Sequence, residues 1–352
     1  MLLRVALIGA GGMGKRWAGA ISKCAGVSLI AVVDKDSAAA AEASRQYGGK
    51  AFRSVEDLLA SESPDACVIA VPHIFLARIT RQVLEARKHV LVEKPGAGST
   101  QEMEDNIASA RNKKLRLMVG YNYRYFPGPM KAKEIVDSGR IGDIMFIRAR
   151  HGFGGRPGYE KNWRLKKSEG GGQLIDQGVH LIDLCRWFLG DIQESCGFLS
   201  DTFWKTGVDP VRSQTPSASA DAFAHRTSNG VEDNAFALLK SKEGKIASIH
   251  ASWTQWDPMF SFEVYGANGS VVVKGLGKKY GNGERVVVGK RNDDFSFVEE
   301  EVIECDPDAD KALLRELEEF TQAIREKRNP CPSGEDGLEV LKIVEEIYQS
   351  SK

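Results

Sequence analysis

From Leu3 to Val119, short β-rich apolar runs alternate with stretches in which apolar residues return with helical period. That alternation is the pattern of parallel βαβ units. It predicts strands at Leu3–Ile8, Ser28–Val33, Ala66–Val71, His89–Val92 and Leu115–Val119, with helices at Gly12–Cys24, Ser37–Tyr47, Ile74–Ala86 and Thr100–Asn112. Ser54-Val55-Glu56-Asp57 and Ser99-Thr100-Gln101-Glu102 read as reciprocal caps at helix starts. After Tyr121-Asn122-Tyr123-Arg124-Tyr125-Phe126-Pro127-Gly128-Pro129 prolines and aromatics break the repeat. The domain boundary is therefore expected there, giving residues 1–122 and 123–352. Beyond it, Ile144–Arg150, Asp233–Leu239, Lys245–Trp253, Phe260–Tyr265, Ser270–Val273, Arg285–Val288 and Phe295–Ile303 read as strands of a mostly antiparallel sheet, with helices at Ala309–Lys327 and Glu335–Tyr348 closing the chain. The Ser-, Thr-, Pro- and Ala-rich stretch Lys205–Gly230 reads as a loop or lid.

Composition narrows the partners. The chain has 48 Lys and Arg against 48 Asp and Glu, so no global field draws it to nucleic acid or an anionic membrane. Six dispersed cysteines without a C-x-x-C pair suit reduced thiols in a cytoplasmic protein. No apolar run approaches the roughly 20 residues of a membrane helix, and the N-terminal run reads as a first strand rather than a leader.

Gly9-Ala10-Gly11-Gly12-Met13-Gly14 fits G-x-G-x-x-G between an expected strand and helix. Gly9 would permit the tight turn, Gly11 the approach of a pyrophosphate, and Gly14 close helix–strand packing. Asp34, at the end of the second strand, is placed to accept hydrogen bonds from a ribose; it also reads as a helix N-cap. An acid there favours NAD over NADP, although Lys35 beside it suits a 2′-phosphate. Val71, Pro72, Glu93 and Lys94, at the ends of later strands, complete the expected cofactor contacts. Lys94, in Glu93-Lys94-Pro95, suits proton transfer or polarisation of a substrate oxygen.

The second chemical stretch is Gly170-Gly171-Gly172-Gln173-Leu174-Ile175-Asp176-Gln177-Gly178-Val179-His180-Leu181-Ile182-Asp183. At i, i+4 and i+7 of a helix, Asp176, His180 and Asp183 share a face. His180 then reads as a general base oriented by Asp176. A metal site on these three side chains competes, but no other His or Cys cluster supports it, and Asp183 also reads as a core residue.

Together Gly9–Gly14, Glu93-Lys94-Pro95, Gly120-Tyr121-Asn122-Tyr123-Arg124-Tyr125 and Gly172 with Asp176-x-x-x-His180 resemble the Gfo/Idh/MocA oxidoreductases. The resemblance implies an N-terminal Rossmann doubly wound parallel sheet and a C-terminal α+β domain. That second domain carries an open-faced, mostly antiparallel sheet that commonly mediates homodimers or homotetramers. It also implies hydride transfer at a secondary alcohol carbon of a sugar, inositol or sugar nucleotide. Lys94, Asp176 and His180 match the family's catalytic positions. Tyr121, Arg124, Arg150, Trp163 and Arg164 join them as candidate substrate contacts, the aromatic faces suiting sugar rings and the arginines carboxylate or phosphate. The chain departs from the family at Pro72-His73-Ile74-Phe75-Leu76, where Asn and then His commonly follow the proline. Two other readings remain: a glycosidase that oxidises its substrate transiently with bound NAD, and a non-enzymatic NAD(P)-binding redox sensor.

Overall fold

A computed structural model describes residues 2–155, 159–204, 231–278, 280–306 and 308–351. Lys205–Gly230, read from sequence as a loop or lid, lies outside the described residues. The chain forms two compact units, one of Met1–Met130 with Asp306–Lys342 and one of Lys131–Cys305 with Ile343–Lys352.

In the first unit β1 (Leu3–Ile8), α1 (Gly12–Lys23), β2 (Val27–Val33), α2 (Ser37–Tyr47), β3 (Lys50–Phe52), α3 (Val55–Ser61), β4 (Ala66–Ile69), α4 (His73–Glu85), β5 (His89–Glu93), α5 (Thr100–Asn112) and β6 (Leu117–Gly120) follow one another. Every strand pair is parallel, in the order β3-β2-β1-β4-β5-β6. This is the doubly wound order of dinucleotide-binding folds. The strands are apolar on both faces because helices cover both, as a parallel sheet requires. β3 is new: only three residues long and half exposed, it has no periodicity to betray it.

All of 123–352 is expected in the second domain, whereas Asp306–Lys342 packs with the first unit. The reason is apolar matching. Helix α8 (Ala309–Glu326) buries Leu313, Leu317 and Phe320 in one cluster with Trp17, Ala18 and Ile21 of α1. Helix α6 (Pro127–Asp137) lies where the prolines read as breakers; Pro127 is the first helical residue, where its missing N–H costs nothing.

The second unit carries β7 (Ile144–Gly152), α7 (Val179–Leu189), β8 (Ile192–Ser200), β9 (Asn234–Ser241), β10 (Ile246–Ser252), β11 (Met259–Gly266), β12 (Gly269–Leu276), β13 (Tyr280–Arg291) and β14 (Phe297–Cys305). The eight strands are ordered β14-β13-β12-β11-β7-β10-β9-β8, antiparallel except for β7 beside β10. Ile147, Ala149, Ala247 and Ile249 point to the buried face, on which α7 lies. The opposite face carries Phe198, Phe236, Leu238, Ile246, Phe146 and Tyr265 on neighbouring strands. Helix α9 (Gly334–Ser350) ends the described chain.

Candidate active site

One row of paired residues crosses the parallel sheet at its carboxyl edge: Val33, Ile8, Ile69, Val92 and Val119. The chain therefore leaves four strands at one level, and Gly9, Asp34, Val71–Pro72 and Glu93–Lys94 are the residues it places there. That edge is where open α/β sheets hold ligands. Gly9 has φ +101°, and a Cβ on it would lie 2.3 Å from the Ala70 carbonyl oxygen. On Gly14 a Cβ would lie 1.9 Å from the Gly9 carbonyl oxygen, so the helix can approach the strand only with glycine here. Gly11 and Gly12 behave oppositely, since an added Cβ would meet nothing within 4 Å. Gly11 precedes α1 without a side-chain cap on the first-turn amides of the helix. An anion fits such a terminus, and the loop suits a dinucleotide pyrophosphate.

Asp34 is held from both sides. Its Oδ2 accepts from the Ala10 amide at 2.7 Å and its Oδ1 from the Asp36 amide at 2.9 Å. It is not the cap of α2; that role belongs to Asp36, which accepts from the Ala38 and Ala39 amides. Val71 packs beside Gly9 and Pro72 leads into α4, while Lys35 is exposed. Trp17 Nε1 donates to Glu93 Oε1 at 2.7 Å, fixing the end of β5, and Lys94, the next residue, is buried.

In the second unit the glycine run makes the geometry. A Cβ on Gly171 would fall 2.0 Å from the Arg164 carbonyl oxygen, and the Gly172 amide donates to that same oxygen at 3.0 Å. This close pass brings the Arg164 side chain to Asp176, where Nε donates to Oδ2 at 3.0 Å; Gln177 Nε2 donates to the same oxygen at 3.3 Å. The Arg164 guanidinium also lies over the Trp163 ring, 4.5 Å from its centroid. Asp176 is fully buried and His180 nearly so. The helix is not regular as expected: Leu174–Gly178 is a π-helical turn that passes into α7 at Val179. The wider turn changes how four residues map onto a face, and such insertions cluster at functional sites.

The remaining candidate substrate contacts fall in different surroundings. Arg150 pairs with Glu263 at 3.1 Å on the sheet face opposite to α7, so strand alternation turns it away from His180. Arg124 is buried against the turn before α9, donating to Cys331 Sγ at 3.3 Å and Asp336 Oδ1 at 3.4 Å. Tyr121 is fully buried. Asp183 is buried as well. Among the described residues no three His, Cys, Asp or Glu side chains gather as a metal set. None of the helices there is long and apolar enough to cross a membrane.

A doubly wound sheet with a glycine cradle at its carboxyl edge, joined in the chain to a second α+β unit with a buried Asp and His, defines a nucleotide-dependent oxidoreductase class. Residues 3–121 match an oxidoreductase family with an NAD-binding Rossmann fold, and residues 130–272 match the Gfo/Idh/MocA C-terminal domain. The chain belongs to the Gfo/Idh/MocA oxidoreductases. It is 27% identical over 339 residues to a 1,5-anhydro-D-fructose reductase of Ensifer adhaerens, covering 95% of this chain and 92% of that one. An inositol 2-dehydrogenase of Rhizobium meliloti is 27% identical over 354 residues, covering 99% and 97%. A solved structure of levoglucosan dehydrogenase with NADH and levoglucosan shares the fold at a TM-score of 0.84 and 24% identity, over 99% of this chain and 97% of that one.

Proposed function

We propose that this protein is an NAD(P)-dependent dehydrogenase or reductase. It would interconvert a secondary alcohol and a ketone on a cyclic polyol, sugar or sugar nucleotide, with NAD the preferred cofactor. The observation that carries the reading is the open ground at Gly11 and Gly12, on the same strand-end level as Asp34 and Lys94. The nicotinamide, when bound, supplies hydride chemistry. The chain's own residues do the rest. The α1 amides and the Gly11 backbone hold the pyrophosphate, and Asp34, fixed by Ala10 and Asp36, accepts from ribose hydroxyls. An acid there repels a 2′-phosphate, which supports NAD.

His180 takes the proton from the reacting hydroxyl, and Lys94 donates a hydrogen bond to that oxygen. Asp176, kept as an acceptor by Arg164, binds a neighbouring hydroxyl or orients the imidazole. The Arg164 guanidinium is engaged by Asp176 and Trp163, which favours this positioning role over direct contact with a substrate anion. The names of the two full-length relatives, an inositol dehydrogenase and an anhydro-sugar reductase, support the substrate class. The apolar outer face of the eight-stranded sheet supports assembly of a homodimer or homotetramer, and the six free cysteines suit a cytoplasmic setting.

The test is absorbance at the NADH wavelength while the protein, with NAD or NADP, is offered inositols, aldoses, uronic acids and sugar nucleotides. We expect turnover with one of these classes, falling by about 10²–10⁴-fold in His180→Ala. Silence across all four classes, or full turnover in both His180→Ala and Lys94→Ala, overturns the proposal.

A further inference from the structure

We infer that Glu232 is a positioning residue for the catalytic turn, reaching it from 58 residues away in sequence. The inference rests on the roles proposed above for Asp176 and His180. Glu232 holds the start of the π-helical turn by two acceptors. Its main-chain oxygen accepts from the Gln173 amide at 3.1 Å, and its Oε1 accepts from the Leu174 amide at 2.8 Å inside the protein. Tyr348, near the end of α9, donates its hydroxyl to the same Oε1 at 2.9 Å. On the third side stands Gly172, with φ +136°, where a Cβ would come within 2.7 Å of Oε1. The carboxylate is thus boxed by an amide, a phenol and a glycine that leaves room for it.

This location has mechanical consequences. The first amides of a helix lack partners within the helix, and Glu232 supplies acceptors for two consecutive ones. A carboxylate there also complements the positive end of the peptide dipoles that run through the π turn and α7. Asp176 is two residues beyond Leu174, and His180 follows in the first turn of α7. Any rotation of the opening turn moves both. Glu232 is buried, which raises its pKa; the Leu174 and Tyr348 hydrogen bonds oppose that rise by favouring the anion. Glu232 and Tyr348 also border an open pocket of about 430 Å³ with Lys167, Gly171 and Asp201. A truncated side chain removes the acceptor that holds the Leu174 amide.

Three variants are compared, Glu232→Ala, Glu232→Asp and Glu232→Gln, with kcat, KM and the affinity for NAD alone measured on the whole protein. A misplacement of about 1 Å costs on the order of a hundredfold in rate. We expect kcat to fall by about 10–100-fold in Glu232→Ala and Glu232→Asp, with NAD affinity unchanged. Glu232→Gln keeps an oxygen at the same reach and should recover kcat to within about threefold of the parent. A purely structural role would lower melting temperature and the active fraction, but leave kcat per folded site unchanged. If Glu232→Ala does not fold, Glu232→Asp against Glu232→Gln decides the matter. Parent-like kcat in Glu232→Asp, or equal losses in Asp and Gln, overturns the inference. Absence of turnover in the parent itself would overturn the proposed function instead.

Discussion

Four glycines share one loop, yet their neighbourhoods differ, and that difference separates binding from folding. Gly14 faces the Gly9 carbonyl oxygen at a distance no Cβ tolerates, so Gly14→Ala should cost at least about 2 kcal/mol of stability. Gly11 has an ordinary φ of −68° and open space around it, so Gly11→Ala should cost less than about 1 kcal/mol as a change of N-cap. Its methyl would nevertheless occupy the ground a pyrophosphate needs. NAD affinity should fall at least about tenfold, or ~1.4 kcal/mol, with the melting temperature nearly unchanged. Calorimetric titration with NAD beside thermal melts checks this; undiminished affinity in Gly11→Ala would remove the loop from the cofactor's path. The motif was legible because three chemical demands act on residues close in sequence. The surroundings of Asp176 were not, since Arg164 reaches it through a loop whose path depends on Gly171, and Glu232, just ahead of β9, holds the Gln173 and Leu174 amides of the same turn from a distant part of the sequence.

Elements with strong period were read closely. α2 and α5 have the expected bounds, and β1 is residue for residue as expected, because an amphipathic helix or a doubly buried strand leaves an unambiguous trace. β8 left none: its outward positions include Phe198 and Cys196 while an inward one is Gly197, so its polarity pattern is scrambled. Strand β5 contains a titrating group with a defined sign. His89 Nδ1 accepts from the Arg116 amide at 2.9 Å, which joins the start of β5 to the residue leading into β6. Burial first, then the charge of Arg116, hold its pKa below the ordinary 6.5. Below about pH 6.5 the unfolded chain gains a proton that the folded one resists, so this contribution is present above that pH and lost as pH falls. Melting temperature followed down the acid limb should decline less steeply in His89→Asn than in the parent. Identical slopes would show that the imidazole does not control this join.

At the scale of the molecule, the outer sheet face is the feature with the largest consequence for assembly. Phe198 is 82% exposed and neighbours Phe236, itself stacked on His250 at 3.9 Å between ring centroids. Beside them Phe146 and Tyr265 stack at 4.7 Å beneath Arg148. Exposed apolar side chains of this kind are where the proposed homo-oligomer would pack. Sedimentation velocity on Phe198→Glu with Phe236→Glu should show a smaller particle than the parent while NAD affinity holds; an unchanged oligomer would exclude this face. The packing of α8 onto α1 has a consequence of another kind. The ribosome must finish everything from Lys131 to Cys305 before it releases Leu313, Leu317 and Phe320, the residues that cover Trp17 and Ile21. The Rossmann unit thus stays open while the intervening segment of the other unit is made, and during that interval its nascent α1 waits with an uncovered greasy flank, the stage of biogenesis at which a holding chaperone would matter most.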